Sequence, residues 1–219
     1  IKFTNIYIIV YMFLNIILIV LLVLFILYFF LFKRDEVYYI ENFLGDDEYN
    51  YIKNYTRSVK NLKSENFRLV SPISDKNISD IFYSETNINK MKKLINNDIK
   101  KSNFPIEFRV YPEGSAGMKC HKDTQLYEEP QYEMVYTIEN ESDSYTNWYS
   151  YLGWNNKLYT KPNSLIIVKA QENTHCVSPI KKGYRTILKL IYTQTDKYND
   201  NYKNEMNRFN KFEIWNLKV

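Results

Sequence analysis

Histidine, cysteine, glycine and proline are all scarce in this sequence. The 219 residues include two histidines, two cysteines, five glycines and six prolines. Cys120 and Cys176 each stand beside a histidine, but neighbouring strand residues point to opposite faces and no Cys-x-x-Cys pair occurs, so a Cys2His2 zinc site is disfavoured. The net charge of +4 is spread along the chain, and without a basic stripe no nucleic-acid partner is expected.

The sequence does contain one long apolar run. Residues 6–32 are almost entirely apolar, with Asn15 as the interruption, and the run exceeds the about 20 residues that a membrane span needs. A cleaved signal peptide would have a shorter apolar region ending in small residues, and no such ending precedes the charged residues 33–36. We therefore expect residues 1–36 to be an uncleaved single-pass membrane anchor with a basic flank.

The orientation of this anchor is open. Lys2 is the basic side chain before the span, whereas Lys33 and Arg34 follow it directly. The positive-inside rule therefore favours a cytosolic domain. Because the difference is only two basic residues against one, both topologies are kept.

Helical patterns follow the anchor. A short apolar segment gives way to three acidic residues, 46–48, and then to apolar residues at helical spacing, which predicts a helix from near Asp46. A second helix is predicted after Asn87. Between them, a short strand at 67–70 followed by a loop is expected.

From Pro105 onward apolar residues recur at every second position instead of at helical spacing. The segments IEFRVY, EMVYTIE, SLIIVKA and RTILKLIYT are each bounded by turn-forming residues, a pattern typical of a β-sandwich or barrel. The tail, residues 196–219, predicts only a weak helix that ends in a candidate strand. The aromatic stretch 145–154 is open between strand-core packing and a substrate-binding rim.

The chemically informative residues begin with the segment KCHKDTQ. His121 and Asp123 are two apart, so on a strand both would face the same side. His175, the second histidine, lies between two strand-like segments and would complete the two-histidine, one-carboxylate face that holds non-heme iron. A His-x-Asp pair alone is a weak signal, because two satisfied polar histidines would look the same.

Arg185 strengthens the iron interpretation. An iron enzyme that uses 2-oxoglutarate needs a cation for the far carboxylate of that dianion, on the strand after the second histidine. Arg185 stands ten residues after His175, where Gly183 ends a turn and a strand begins. A guanidinium binds a carboxylate through two parallel hydrogen bonds. The alternative is a surface arginine that opens a strand.

The sequence after the anchor resembles the prolyl 4-hydroxylase-like branch of the 2-oxoglutarate and Fe(II)-dependent dioxygenases. YYIENFLGDDE resembles the opening strand and acidic helix start, and FRVYPEGSAGMKCHKD resembles the segment in which a tyrosine and a glycine precede His-x-Asp. PNSLIIVKAQENTHCVSPIKKGYRTILKLIYT resembles the closing strands. The resemblance implies an α+β fold with a double-stranded β-helix (jelly-roll) core in residues 37–195, flanking N-terminal helices, and a C-terminal extension at 196–219.

The resemblance also implies the roles of the site residues. His121, Asp123 and His175 would bind Fe(II), Arg185 would pair with the distal carboxylate of 2-oxoglutarate, and Tyr111 would donate its hydroxyl to the same carboxylate. Dioxygen would be the second cosubstrate and ascorbate the expected reductant. The reaction would hydroxylate a protein or peptide residue, with prolyl ahead of lysyl, although an arginine at this place is more like the lysyl hydroxylases. The endoplasmic reticulum or another endomembrane is the expected location.

Several alternatives are open at this stage. Asn163 stands where the family commonly has glycine, and the chain could be a catalytically silent β-barrel that serves as a membrane-bound structural or binding protein. A non-protein substrate is a third reading. Lys189 shares a strand face with Arg185 and could contact substrate, compete for the cosubstrate or reach the rim. In a chain with 21 tyrosines, Tyr111 could instead be a core or rim residue. The two cysteines could be buried thiols or a disulfide.

Overall fold

The computed structural model describes residues 2–32, 37–150 and 153–216, with side chains described at 10–28, 37–150 and 153–209. The basic flank at residues 33–36 and the last three residues of the tail lie outside these ranges. The chain divides into two compact units, Ile1–Asp35 and Glu36–Val219. The further division after residue 195 stays a prediction.

The first unit contains one long helix. Helix α1 spans Lys2–Phe32, and its segment Val10–Tyr28 is long and apolar enough to cross a membrane. The side chains of this segment are all exposed. An apolar surface on every side of a helix is what lipid, rather than water, solvates well.

The second unit combines helices with antiparallel sheets, which confirms the predicted α+β class. Its strands among the described residues are β1 (Val37–Ile40), β2 (Lys63–Glu65), β3 (Arg68–Pro72), β4 (Lys100–Lys101), β5 (Glu107–Tyr111), β6 (Met118–His121), β7 (Tyr132–Asn140), β8 (Thr146–Tyr149), β9 (Asn155–Leu158), β10 (Ser164–Lys169), β11 (His175–Val177) and β12 (Arg185–Thr193). All four segments predicted from the period of two are strands β5, β7, β10 and β12.

These strands form a large and a small sheet in the described part of the chain. The large sheet has the order β1-β10-β7-β12-β5-β3-β2, with β4 paired to β12, and the small sheet has the order β6-β11-β8-β9. Every pairing is antiparallel. The candidate site residues are divided between the two sheets, because β6 and β11 carry the histidines whereas β5 and β12 carry Tyr111 and Arg185.

Three helices pack on the large sheet: α2 (Asp46–Ser58), α3 (Lys76–Phe82) and α4 (Glu85–Ile95). Helices α2 and α4 confirm the two predictions. The prediction of a loop before residue 84 is wrong over α3. Asp75 caps this helix by accepting a hydrogen bond from the Ile78 amide, and the side chains of Ile78 and Phe82 are buried. One cap and two buried residues four positions apart are enough to form a short helix, but the Ser and Asn residues of the segment hide this pattern in the sequence.

Asn163 has a backbone conformation that glycine adopts readily. Its φ is +54°, in the left-handed region that asparagine tolerates better than most residues. Its amide oxygen accepts from the Leu44 amide at 3.1 Å and from the Tyr136 hydroxyl at 2.9 Å, and its amide nitrogen donates to the Leu44 carbonyl at 2.9 Å. This departure from the family pattern therefore fixes the loop between β1 and α2 rather than altering the site.

The tail forms a fifth helix, α5 (Asp200–Asn216), and the described residues up to 216 contain no strand after it, while residues 217–219 lie outside the described range. Tyr202 and Phe209 are buried against a small cluster formed by Phe104, Leu126, Tyr127 and Ile191. Arg208 forms salt bridges with Glu107 of β5 at 2.8 Å and with Glu65 of β2 at 2.9 Å. These partners lie more than 100 residues away in sequence, so the local pattern of the tail could not predict them.

Glu107 should make the stability of this unit dependent on pH. Its side chain is 3% exposed, and although burial alone would raise its pKa, Arg109 and Arg208 hold the pKa at about 2. A depressed pKa contributes stability that is present above the unfolded value near 4.5 and is lost as the pH falls towards 2. We expect the stability gap between wild type and Glu107→Gln to shrink by about 2 kcal/mol between pH 7 and pH 3. Urea unfolding at both pH values measures this, and a constant gap would contradict it.

Candidate metal and cosubstrate site

Two facing strands bring the histidines together. His121 is the last residue of β6, His175 is the first residue of β11, and the two are directly paired across the ladder. Asp123 lies beyond the end of β6, so the prediction that it shares a strand with His121 is wrong. It is held instead by its loop, in which the Asp123 carbonyl accepts a hydrogen bond from the Gln171 side chain at 2.9 Å.

The three predicted ligand side chains converge. Their nearest nitrogen and oxygen atoms all lie within 4.8 Å of one another. The Nε2 of His121 is 3.6 Å from one carboxylate oxygen of Asp123, and the Nε2 of His175 is 3.4 Å from the other. Such a group can hold a metal ion, and two imidazoles with one carboxylate on one side leave further coordination positions for other ligands.

Backbone contacts orient both imidazoles toward this centre. The Nδ1 of His121 lies 2.9 Å from the Lys119 carbonyl, and the Nδ1 of His175 lies 3.2 Å from the Asn173 carbonyl. Because a carbonyl can only accept, each Nδ1 carries the proton and donates it. Each Nε2 is then left with its lone pair directed at the centre, which is the tautomer that a metal ligand needs.

The protonation of His175 and Asp123 fits metal binding, whereas at His121 a proton competes with the metal. The Asp123 carboxylate, as a hydrogen-bond acceptor for the protonated imidazole, raises the pKa of His121, whereas burial lowers the pKa of His175. Burial alone would raise the pKa of the Asp123 carboxyl, but Lys189 and His121 outweigh it, so the group stays ionised. An ionised carboxylate beside a neutral imidazole is a suitable pair of metal ligands.

Arg185 lines the same cavity as the three ligands, a space of about 200 Å³ between the two sheets. Arg185 as a whole is 3% exposed, and one nitrogen of its guanidinium lies 3.4 Å from the Thr146 hydroxyl. Among the described residues no carboxylate pairs with it, and its Nε has no hydrogen-bond partner. A buried cation with so few contacts is costly unless an anion joins it, so this cavity fits an anionic ligand.

Tyr111 lies directly opposite Arg185, because the two residues are paired between β5 and β12. The tyrosine is buried, lines the cavity and stacks on Phe67 with ring centroids 6.1 Å apart. Burial alone would raise the pKa of its hydroxyl, but the charges of Arg109 and other nearby arginines lower it. The structure thus brings Tyr111 to the cavity in which the sequence predicted it.

Lys189 points into the cavity. Its ammonium pairs with Glu133 of β7 and lies 3.8 Å from a carboxylate oxygen of Asp123. Burial, together with the Asp123 charge, raises the pKa of Glu133 to about 7, and Gln131 donates to the same carboxyl at 3.1 Å. Lys189 therefore connects the metal side of the cavity to β7.

Two of the cavity residues that were not predicted from the sequence are arginines. Arg109 is buried on β5 with its Nε 2.6 Å from Glu107, and Arg68 of β3 lines the same cavity. The period of two in IEFRVY could have placed Arg109 on the face of Tyr111. Arg68 gave no such signal, because the pairing of β3 with β5 depends on the fold.

The two cysteines form a disulfide. Cys120 and Cys176 have Cα atoms 4.2 Å apart and link β6 to β11 on the residues next to the two histidines. Cys120 is exposed, whereas Cys176 is buried. The choice that the sequence left open between thiols and a disulfide is thereby decided.

No protein-family model matches this sequence, and no curated protein matches it either. Solved structures do match the fold. An oxidoreductase of the 2OG-Fe(II) oxygenase family from Burkholderia pseudomallei superposes with a TM-score of 0.66 at 10% identity, over 75% of this chain and 87% of that chain. A prolyl-4-hydroxylase from Pseudomonas putida gives a TM-score of 0.58 at 14% identity, over 74% and 94%.

A third structure is a prolyl hydroxylase from Trichoplax adhaerens in complex with a peptide fragment of the oxygen degradation domain of hypoxia inducible factor. It matches with a TM-score of 0.56 at 16% identity, over 72% of this chain and 83% of that chain. The resemblance noted in the sequence is therefore confirmed at the level of the fold. This chain has the fold of the 2OG-Fe(II) oxygenases, a group of structures that includes prolyl hydroxylases.

Proposed function

We propose that the protein is a 2-oxoglutarate and Fe(II)-dependent dioxygenase. His121, Asp123 and His175 hold the iron, and Arg185 and Tyr111 hold the distal carboxylate of 2-oxoglutarate. The observation that carries the proposal is the buried guanidinium of Arg185, which pairs with no carboxylate among the described residues and lines the same cavity as the three convergent ligand side chains. A metal site and a separate anion site in one enclosed space are what a chelating dianion requires.

The chain's own residues have defined tasks in this reaction. The backbone carbonyls behind both histidines keep the lone pairs of Nε2 toward the metal. Ile166, Val168 and Ile187 line the cavity and exclude water from it. Arg185 fixes the orientation of the cosubstrate by its charge and by two parallel donors. Bound Fe(II) would supply the oxidative chemistry in which 2-oxoglutarate, dioxygen and a C–H group yield succinate, carbon dioxide and a hydroxylated product.

We further propose that the substrate is a residue of a protein or peptide, prolyl ahead of lysyl. The peptide complex of the Trichoplax structure supports this substrate class. An open polar groove of about 540 Å³ between the β2–β3 hairpin and α5 also supports it. Arg68 lines both this groove and the metal cavity, so an extended chain in the groove would lie next to the site.

The two sheets are proposed to be the halves of a double-stranded β-helix, with the reaction carried by residues 37–195 and the tail acting as an extension. Helix α1 is proposed to anchor the protein in the endoplasmic reticulum or another endomembrane. Disulfides persist in oxidising compartments, so the Cys120–Cys176 bond favours a domain on the lumenal side over the cytosolic side suggested by the basic flank. Protease protection in sealed vesicles tests this: a protected domain supports the lumenal side, and digestion without detergent contradicts it.

The decisive test is turnover by the full-length protein in detergent, supplied with Fe(II), 2-oxoglutarate and ascorbate. Succinate should form faster than with a His175→Ala variant, and a proline-containing peptide should increase the rate more than free nucleosides do. Equal succinate formation by wild type and variant would favour the alternative of a silent membrane-bound β-barrel. Succinate formation that increases with small molecules but not with peptides would contradict the proposed protein substrate and leave the proposed dioxygenase activity standing.

A further inference from the structure

The disulfide lies next to both candidate metal ligands at once. Cys120 immediately precedes His121, and Cys176 immediately follows His175. The two cysteines are 56 residues apart in sequence, yet their bond joins the same two strands that carry the imidazoles. The separation of the two histidines and the separation of the two cysteines are therefore set by one strand pairing.

The two faces of the β6–β11 strand pair carry different side chains. Neighbouring residues of a strand point to opposite sides, so the imidazoles face the cavity while the disulfide lies on the other side of the ladder. The ring centroids of His121 and His175 are 4.5 Å apart. A covalent link directly behind two ligands restricts how far their backbones can separate.

The backbone pairing of β6 with β11 is limited. Strand β11 has three residues, and the register of the pairing shifts between His175 and Val177. A regular ladder of many hydrogen bonds would hold the two strands without help, whereas a short and irregular one gives each bond few neighbours to cooperate with. A crosslink has its largest effect on position where the noncovalent pairing is this short.

We propose that Cys120 and Cys176 are positioning residues of the metal site, whose disulfide holds His121 and His175 at the separation that the metal requires. This inference rests on the proposed function, since it assumes that the two imidazoles are ligands. A phosphine reductant supplies two electrons and takes the oxygen of water to become a phosphine oxide, and the two protons of that water go to the sulfur atoms as the S–S bond breaks and two thiols form. Cys120 is exposed, so the reductant reaches the bond from solvent. Reduction then weakens metal binding although no ligand is lost.

The test is a titration of the full-length protein with cobalt(II) alone, followed by visible absorption, which reports on the ligands around the metal. Changes that misplace metal ligands without removing them typically weaken binding by about 10–100-fold. We expect this loss on reduction with a phosphine that is then removed under anaerobic conditions. The Cys120→Ser, Cys176→Ser double variant should show the same loss, and reoxidation of the wild type should restore the affinity.

A control separates positioning from general stability. Tyr202→Ala removes a buried side chain from the α5 cluster, away from the ladder, and should lower the melting temperature without a change in cobalt affinity. All titrations are made well below the melting temperatures of the reduced protein and both variants. Equal affinities of the oxidised and reduced protein would overturn the inference and leave the metal site intact. Failure of the oxidised protein to bind cobalt would instead contradict the proposed function.

Discussion

Replacement of His121 by alanine is expected to weaken metal binding by more than about 100-fold. Loss of an outer residue that orients a ligand weakens metal binding by about 10–100-fold, and loss of the ligand itself should weaken it further. The Nε2 of His121 provides one of three converging ligand atoms, and the remaining His175 and Asp123 cannot complete the face. The fold should persist, since the His121 side chain is 35% exposed. Anaerobic calorimetry with iron(II) measures the affinity directly.

Lys119→Ala is the matched control for this variant. Lys119 lies on the same strand, its side chain is exposed, and its carbonyl, which orients His121, is retained after substitution. We expect wild-type metal affinity and a wild-type melting temperature. If His121→Ala bound iron(II) within about twofold of the wild type, the imidazole would not be a ligand and the proposed site would be wrong.

The second large effect is expected at Arg185, where substitution should change two quantities in opposite directions. Arg185→Met should weaken 2-oxoglutarate binding by about 2–5 kcal/mol, roughly 30-fold or more, because a buried carboxylate loses its charged partner. Without cosubstrate, the same variant should be as stable as the wild type or more stable, because a buried guanidinium that pairs with no carboxylate among the described residues has been replaced by an apolar chain. Calorimetry with 2-oxoglutarate and thermal unfolding of the ligand-free protein measure the two effects.

Two further variants refine this result. Lys182→Met removes the same charge from the exposed turn before β12 and should leave cosubstrate affinity unchanged. Arg185→Lys keeps the charge but loses the paired donors, so an intermediate affinity is expected. Normal 2-oxoglutarate binding by Arg185→Met would exclude the guanidinium as the cosubstrate partner. A large loss of stability without ligand would mean that Arg185 is already well paired in the fold.

The sequence predicted the parts of this structure that are determined locally. Strands β7 and β12 are nine residues long, so their apolar alternation is visible without any knowledge of their neighbours. The strands of the small sheet have only three or four residues, too few to show a period. Helix α3 was missed for the same reason, since seven residues hold two buried positions and little more.

The candidate site was predictable to the extent that its residue types are rare and their order is informative. With two histidines in the chain, His121 and His175 had few alternatives, and Arg185 followed from its place at the start of a strand. The pairing of Lys189 with Glu133 was not predictable, because it depends on the register between β12 and β7. The disulfide likewise required the knowledge that β6 and β11 are neighbours.

The attachment of helix α5 limits where this protein can be cut. A shortened chain that stops after Thr195 would remove Tyr202 and Phe209, and it would uncover the aromatic ring of Phe104 and the side chain of Ile191 to water. It would also deprive the buried carboxylate of Glu107 of one of its three arginine partners, since Arg208 lies on the deleted segment whereas Arg68 and Arg109 remain. Such a truncation would expose an apolar surface and break the salt bridges of Arg208 with Glu65 and Glu107, so expression trials should retain the whole tail if soluble material is wanted.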